Sequence, residues 1–337
     1  MDAAQGGTAL DKATVQKTIK SLAATLIGKR TPGLFFLLAS KAARASLHVE
    51  VRSGWIDIVD KKGRRRLRIS RANSIYLPHL ADCFDYFFGS ATPIQIPCGQ
   101  EIFEVVDFST PRFQEVTGFP DFPILCPSFT EPFITTLQYL EFAQLHEGDV
   151  VLDLGCYSGL TSIAFSREVG ESGRVVALEP DPISFAAAQN NIARHIAIDE
   201  VDNILLLNCA AGSGLGVASF ASDGTMGAAN AAIVGSHRGQ TVEVESLGLQ
   251  DIADRCSLDR IDLIKMDIEG SELKVLAAAE EFFRRFRPRL IVEPHTVDGE
   301  FSETAVKAVL TNYRYRCETV IQAGLSWPLV TAVPLPE

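Results

Sequence analysis

Val150-Val-Leu-Asp-Leu-Gly-Cys-Tyr-Ser-Gly159 is the stretch on which the fold turns. Five residues of mostly apolar character, interrupted by Asp153, lead into a turn carrying Gly155 and Gly159, and the amphipathic segment Leu160–Glu168 follows. Near-continuous apolar character suits a parallel strand covered on both faces by helices. Glycines in such a turn let a ligand approach the backbone where a helix begins. Strand, glycine turn and helix in that order open a wound α/β sheet.

Reading outward, the same rhythm fills the C-terminal half. Short apolar runs recur at Arg174–Glu179, Asn203–Cys209, Ile261–Asp267 and Arg289–Glu293, and amphipathic segments recur at Pro182–His195, Gly270–Phe286 and Glu303–Tyr313. The alternation predicts a doubly wound, mostly parallel α/β sheet. Tyr315–Val320 and Trp327–Val333 are expected to complete it as an antiparallel hairpin at the edge.

Residues 1–125 read differently, as an α+β accessory region. Lys12–Ala24 and Phe35–Ala45 have helical patterning, and His48–Val59, Arg66–Ser70 and Glu101–Asp107 are brief β-like pieces. Pro111, Pro120, Pro123 and Pro127 crowd the segment before residue 128, which marks a boundary. Ser128 to Glu131 has capping-box spacing with Pro132 in the first turn, and the next helix is expected to bury Phe133, Leu137, Leu140 and Phe142 and to end at residues 147–149. The expected division is 1–125, an acceptor-selecting region, and 126–337, the cofactor-binding domain.

Composition narrows the function classes. The chain of 337 residues is long enough for two domains, and 47% apolar with 22% charged residues suits a folded enzyme. A net charge of −11 argues against nucleic acid as a partner. The opening MDAAQGG lacks the charged and apolar regions of a signal peptide, and the early apolar run Leu34–Ala39 is too short to cross a membrane. Seven scattered cysteines without a Cys-x-x-Cys pair fit reduced thiols, so a cytoplasmic protein is expected.

The glycine turn also narrows the ligand. Its spacing is Asp-x-Gly-x-x-x-Gly, not the Gly-x-Gly-x-x-Gly of a dinucleotide site, which counts against a nicotinamide enzyme. Asp153 would repel a diphosphate but suit a ligand with an ammonium and a sulfonium. Glu179, twenty residues after Gly159, closes the next strand, where a carboxylate can accept both ribose hydroxyls. The two acids together favour S-adenosyl-L-methionine.

VVLDLGCYSGLTS followed by VVALEPDP resembles the first two motifs of class I (Rossmann-like) S-adenosylmethionine-dependent methyltransferases. Asp267-Ile-Glu-Gly-Ser-Glu272 with Leu276, then Pro288 through Glu293 to His295, resembles the FkbM-type members of that class, over about residues 126–320. Cys156 departs from the family's usual Gly-Ala-Asn loop. The resemblance implies that Asp153, Gly155 and Gly159, with Tyr157 and Ser158 between them, hold the methionine and ribose portion. It implies that Glu179 and Pro180 meet the ribose, and that the third strand, ending Asn208-Cys-Ala210-Ala211, passes the adenine.

Methyl transfer needs a nucleophile in line with the sulfonium methyl and often a base for its proton. Asp267 ends the fourth expected strand, Glu269 lies on the same turn, and Glu293 and His295 end the fifth. Asp267 and His295 are read as the catalytic pair, with Glu269 and Glu293 positioning them. Glu272 reads equally well as a helix-dipole acid. No metal is assigned, although Asp267, Glu269, Glu293 and His295 also have the chemistry of a hard-metal site. His48, His79, His146, His195 and His237 are read as structural or solvent-facing.

Two further features stand out. Lys61 to Arg71 holds seven basic residues in eleven, expected as a solvated hairpin turn around Gly63 or as a recognition element for an acidic acceptor. Gly212–Gly239, rich in Gly, Ala and Ser, reads as a mobile lid or as disorder. The resemblance implies O-methylation of a hydroxyl on a small molecule such as a carbohydrate or polyketide, with homo-oligomerisation open. N-methylation and a non-catalytic nucleoside-binding scaffold remain the rivals.

Overall fold

The computed structural model describes residues 46–222, 224–225, 240–297 and 300–336. The two expected N-terminal helices, His237 and most of the Gly/Ala-rich stretch lie outside the described residues.

The central element is a seven-stranded sheet. Its strands are β1 (Val150–Leu154), β2 (Arg174–Leu178), β3 (Ile204–Leu207), β4 (Leu263–Met266), β5 (Arg289–Val292), β6 (Tyr315–Ile321) and β7 (Pro328–Pro334), in the spatial order 3-2-1-4-5-7-6. β1 to β5 are parallel, and β7 runs antiparallel between β5 and β6. The fold is therefore the doubly wound α/β sheet with a C-terminal antiparallel hairpin. Chain order reverses between β1 and β4, so the crevice beyond their carboxyl ends is where such a sheet places its ligand.

Helices cover both faces: α1 (Phe133–Ala143), α2 (Leu160–Val169), α3 (Pro182–Asp199), α4 (Leu249–Arg255), α5 (Glu272–Ala277), α6 (Glu280–Phe286) and α7 (Glu303–Asn312). Because side chains alternate along a strand, Leu152, Leu154, Ile264 and Met266 join one core with Leu276, Phe283 and Leu310. Val151, Val175, Leu263 and Ile291 join the other with Tyr139, Leu160 and Ile163. Asp153 and Lys265 occupy this second face.

Several boundaries differ from expectation. α1 starts after Pro132, which serves as its N-cap without any side-chain cap bond, so the capping box of Ser128 and Glu131 does not form. The helix stops at Ala143 because Gln144 turns left-handed, and Leu137 faces solvent rather than the core. The expected helix Gly270–Phe286 is two helices broken at Ala278 and Ala279. Between β3 and β4 a three-stranded sheet of Ala210–Ala211, Gln240–Leu247 and Gly216–Ser222 precedes α4. Gly216–Ser222 is a strand where a lid or disorder was expected.

The N-terminal sheet has the order Leu47–Val51, Trp55–Asp60, Arg65–Ser70, Glu101–Phe108, Ile94–Cys98. Its core includes Ile56, Ile58, Leu67, Ile69, Phe87, Phe108 and also Phe129, from beyond the expected boundary. The basic run forms the expected hairpin, with Gly63 left-handed in its turn (φ 74°). Its arginines are answered by acids of the same region: Arg65 by Asp60 and Asp85, Arg66 by Glu50, Arg68 by Asp57. Tyr76 hydrogen-bonds Thr225 at 2.6 Å and Tyr86 bonds Thr135 at 2.8 Å, joining this region to the larger sheet. Among the described residues, no helix is long and apolar enough to cross a membrane.

Candidate active site

The turn after β1 is built around close backbone approach. Gly155 has φ 81°, and a Cβ there would lie 1.8 Å from the carbonyl oxygen of Asp267, so β1 and β4 can sit side by side only with glycine at this position. The Gly155 and Cys156 N–H groups donate to the Leu178 carbonyl at 3.0 Å. Gly159 (φ 78°) opens α2, and Tyr157 is left-handed too (φ 47°), a strained state for a non-glycine residue.

Asp153 is fully buried, accepts a 2.6 Å hydrogen bond from Ser162 Oγ, and has Lys265 Nζ 3.3 Å from its other oxygen. Sequence spacing had offered this carboxylate to the cofactor's ammonium. In the structure this carboxylate is paired with Lys265. Lys265 in turn donates to the Gly155 carbonyl at 2.6 Å and lies 3.9 Å from Asp267. Burial would lower the Lys265 pKa, but Asp153, Asp267 and Glu131 raise it above its ordinary value, so it stays charged. Lys265 is a residue that the sequence reading passed over. A lysine within the apolar run Leu263-Ile-Lys-Met266 was the available signal.

Glu179 is buried at the end of β2 and accepts the Tyr157 N–H at 2.8 Å and the Asp181 N–H at 2.9 Å, one on each oxygen. Burial pushes its carboxyl up to about 8, against the lowering pull of those two backbone donors. The Tyr157 side chain points away: its hydroxyl donates to the Phe129 carbonyl at 2.9 Å and accepts the Ser128 N–H at 3.2 Å. Only its backbone serves the turn. Ser158 is buried, with its carbonyl held by Asn191, and the Pro180 carbonyl is held by Asn208. Ala210 opens the short strand that pairs with Gln240–Leu247. Asp181 caps α3 and also accepts the Gly224 N–H at 3.3 Å, which brings the described end of the Gly/Ala-rich stretch over this edge.

Glu131, read from spacing as a cap, has another place. Its Oε2 is enclosed and has no hydrogen-bond partner. Burial pushes it up to about 8, with Lys265 pulling down and Asp267 and Asp153 pushing up, so these groups are near neighbours.

The expected catalytic residues do converge. His295 Nε2 is 3.7 Å from Asp267 Oδ1 and 3.6 Å from Glu269 Oε2, and Nδ1 is 2.9 Å from Glu272 Oε1. Glu269 reaches this position from a left-handed backbone (φ 56°). Glu272 is fully buried and its Oε1 also accepts the Ile268 and Gly270 N–H groups, so it organises the turn and the imidazole rather than merely answering the helix dipole. Glu293 is held by Tyr139 and Gln322, each at 3.2 Å from Oε2. Burial, with the Asp267 charge adding to it, pushes Glu293 up to about 8. Burial lowers the His295 pKa, but Glu269, Glu272 and Asp267 raise it well above the ordinary range, which favours the imidazolium. His195 is buried between Ser166 and Asp199, a structural role.

Residues 153–317 match the methyltransferase FkbM domain family. A curated relative, 31-O-demethyl-FK506 methyltransferase FkbM of Streptomyces tacrolimicus, is 28% identical over 190 residues, spanning 48% of this chain and 70% of the relative. Among solved structures, the methyltransferase FkbM of Methylobacillus flagellatus is 21% identical, with 59% of this chain aligned to 50% of that one at a TM-score of 0.41. The alignment thus spans about half of that protein's length. An O-methyltransferase of Bacillus cereus in complex with S-adenosylhomocysteine is 14% identical over 60% of this chain and 79% of its own, with a TM-score of 0.35. Residues 153–317 thus form an FkbM-type methyltransferase domain, the type that uses S-adenosylmethionine, and it lies across the glycine turn and the acidic cluster described above.

Proposed function

We propose that the protein transfers the methyl group of S-adenosylmethionine to a hydroxyl of a small acceptor, a sugar or a secondary metabolite. The carrying observation is the meeting of Asp267, Glu269, Glu293 and His295 beside the glycine turn, a group suited to hold a hydroxyl and take its proton. In this reading the ribose hydroxyls lie against Glu179 and the methionine ammonium against the unpartnered oxygen of Glu131. The acceptor hydroxyl sits between Asp267 and His295 and loses its proton to a carboxylate of this group. The oxygen attacks the methyl carbon in line, the C–O bond forms, the C–S bond breaks, and a neutral thioether leaves. The N-terminal sheet, tied to the larger one through Tyr76 and Tyr86, forms the acceptor-selecting side. The curated relative's name describes methylation at an oxygen, in line with this reading.

Calorimetric titration with S-adenosylhomocysteine on wild type and Glu179→Ala tests the cofactor half. The expected result is binding that the substitution weakens by about 1–3 kcal/mol, the scale of hydrogen bonds to a charged group. Folded wild-type protein that does not bind would refute the reading. Methyl transfer to hydroxylated rather than amine acceptors tests the other half.

A further inference from the structure

We propose that Asp267, Glu293 and His295 form a divalent-cation site at the carboxyl ends of β4 and β5, suited to Mn²⁺ or Mg²⁺, which holds the acceptor's hydroxyl oxygen. One ligand atom from each of the three residues lies within 4.8 Å of the other two. Ligands on opposite sides of a small divalent ion stand roughly 4.2 Å apart, twice a metal–oxygen bond of about 2.1 Å. Contraction by a few tenths of an ångström therefore closes the shell.

The second observation is the orientation of the imidazole. Glu272 Oε1 already accepts the Ile268 and Gly270 N–H groups, so His295 Nδ1 must be the donor in its 2.9 Å bond to the same oxygen. That leaves Nε2 facing Asp267 and Glu269 at 3.7 and 3.6 Å. These separations are too long for hydrogen bonds, and the gap they leave is one that an ion can fill. A carboxylate behind a histidine, setting its tautomer and presenting the other nitrogen, is the outer-shell arrangement of metal-binding histidines. Glu272 is fully buried, and its Oε2 meets no donor. Glu293 is oriented in the same manner by Tyr139 and Gln322, both on Oε2.

Charge points the same way. Asp267, Glu269, Glu272 and Glu293 surround one imidazole, while Lys265, 3.9 Å from Asp267, lies closer to Asp153 and to the Gly155 carbonyl. Two carboxylates and an imidazole are a donor set for Mn²⁺ or Mg²⁺ rather than for a thiophilic ion. The cation's chemical task rests on the methyl-transfer reading above; its binding does not. The cation would make the acceptor hydroxyl more acidic, with Glu269 placed to take its proton, while the C–O bond forms, the C–S bond breaks and the neutral thioether leaves.

The test uses the full chain, freed of metal with a chelator and titrated with MnCl₂, unbound Mn²⁺ being followed by its paramagnetic resonance signal. One equivalent should bind, and Asp267→Asn and Glu293→Gln should each weaken it by about tenfold or more. S-adenosylhomocysteine titration of the same samples reports separately on the cofactor reading and on folding. Wild type that titrates like the Asp267→Asn/Glu293→Gln double variant overturns the inference, whether it binds no ion or only scattered ones. A variant-free check is selective broadening of the His295 imidazole NMR signals by substoichiometric Mn²⁺. Broadening supports the site, and unchanged signals overturn it.

Discussion

Lys265 stands directly across from Asp153 on the neighbouring parallel strand, with Nζ 3.3 Å from Oδ1 and both side chains enclosed in the sheet's second core. Neither charge alone would be tolerated there, because removing an ion from water costs several kcal/mol. Together they tie β1 to β4, and through the Gly155 carbonyl the lysine holds the glycine turn. Lys265→Met is expected to destabilise the protein by about 3–5 kcal/mol, as breaking a buried pair does. The Asp153→Asn/Lys265→Met double variant should recover much of that loss, which a double-mutant cycle of denaturant unfolding would show.

Gly155→Ala should be among the most damaging single methyl additions in the chain. The new Cβ would meet the Asp267 carbonyl at 1.8 Å, at a φ of 81° that alanine resists. A large fall in melting temperature and loss of S-adenosylhomocysteine binding are expected. Gly214→Ala, where a Cβ meets nothing within 4 Å, is the matched control and should stay close to wild type.

Cofactor affinity should depend on pH through Glu179. Its folded pKa, pushed up to about 8 by burial, lies above the ordinary 4.5, so the folded state binds more protons between those values. Its contribution to stability in the empty protein therefore declines as pH rises through that window. In the proposed cofactor site ribose hydroxyls would donate to the ionised carboxylate, so binding would favour its deprotonation. Affinity for S-adenosylhomocysteine should increase from about pH 6.5 to about pH 9 and level off above the Glu179 pKa. Calorimetry in buffers of different ionisation enthalpy should detect a released proton below pH 8; flat affinity in Glu179→Gln would assign it.

Glu131→Gln should weaken S-adenosylhomocysteine binding by about 1.5–3 kcal/mol if its enclosed oxygen meets the ligand's ammonium. The substitution removes a buried carboxylate that burial disfavours in the empty protein, so unfolding should show equal or greater stability. Affinity unchanged beside that stability gain would remove Glu131 from the cofactor site.

Tyr157→Phe addresses the connection between the turn and the segment before α1. Its hydroxyl contacts Ser128 and the Phe129 carbonyl, and its loss leaves that carbonyl without this donor. A cost of about 1–3 kcal/mol in unfolding free energy is expected.

Local pattern alone determined the strand–turn–helix rhythm of the larger sheet, the hairpin at its edge, the basic turn around Gly63, and the placing of Gly155, Glu179, Asp267 and Glu293 at strand ends. These are short-range properties, because apolar periodicity and glycine freedom act within a few residues. The three-stranded sheet after β3 was missed, although Gln240-Thr-Val-Glu-Val-Glu-Ser-Leu247 alternates, because the glycines and alanines before it carry no period. Only the tertiary structure decided who answers whom. Winding the chain back placed β4 beside β1, which supplied Asp153 with Lys265. It set Glu131 against that pair and turned Glu272 to His295. A charge's partner is chosen by burial and packing between segments far apart in the chain, and sequence spacing carries no measure of either.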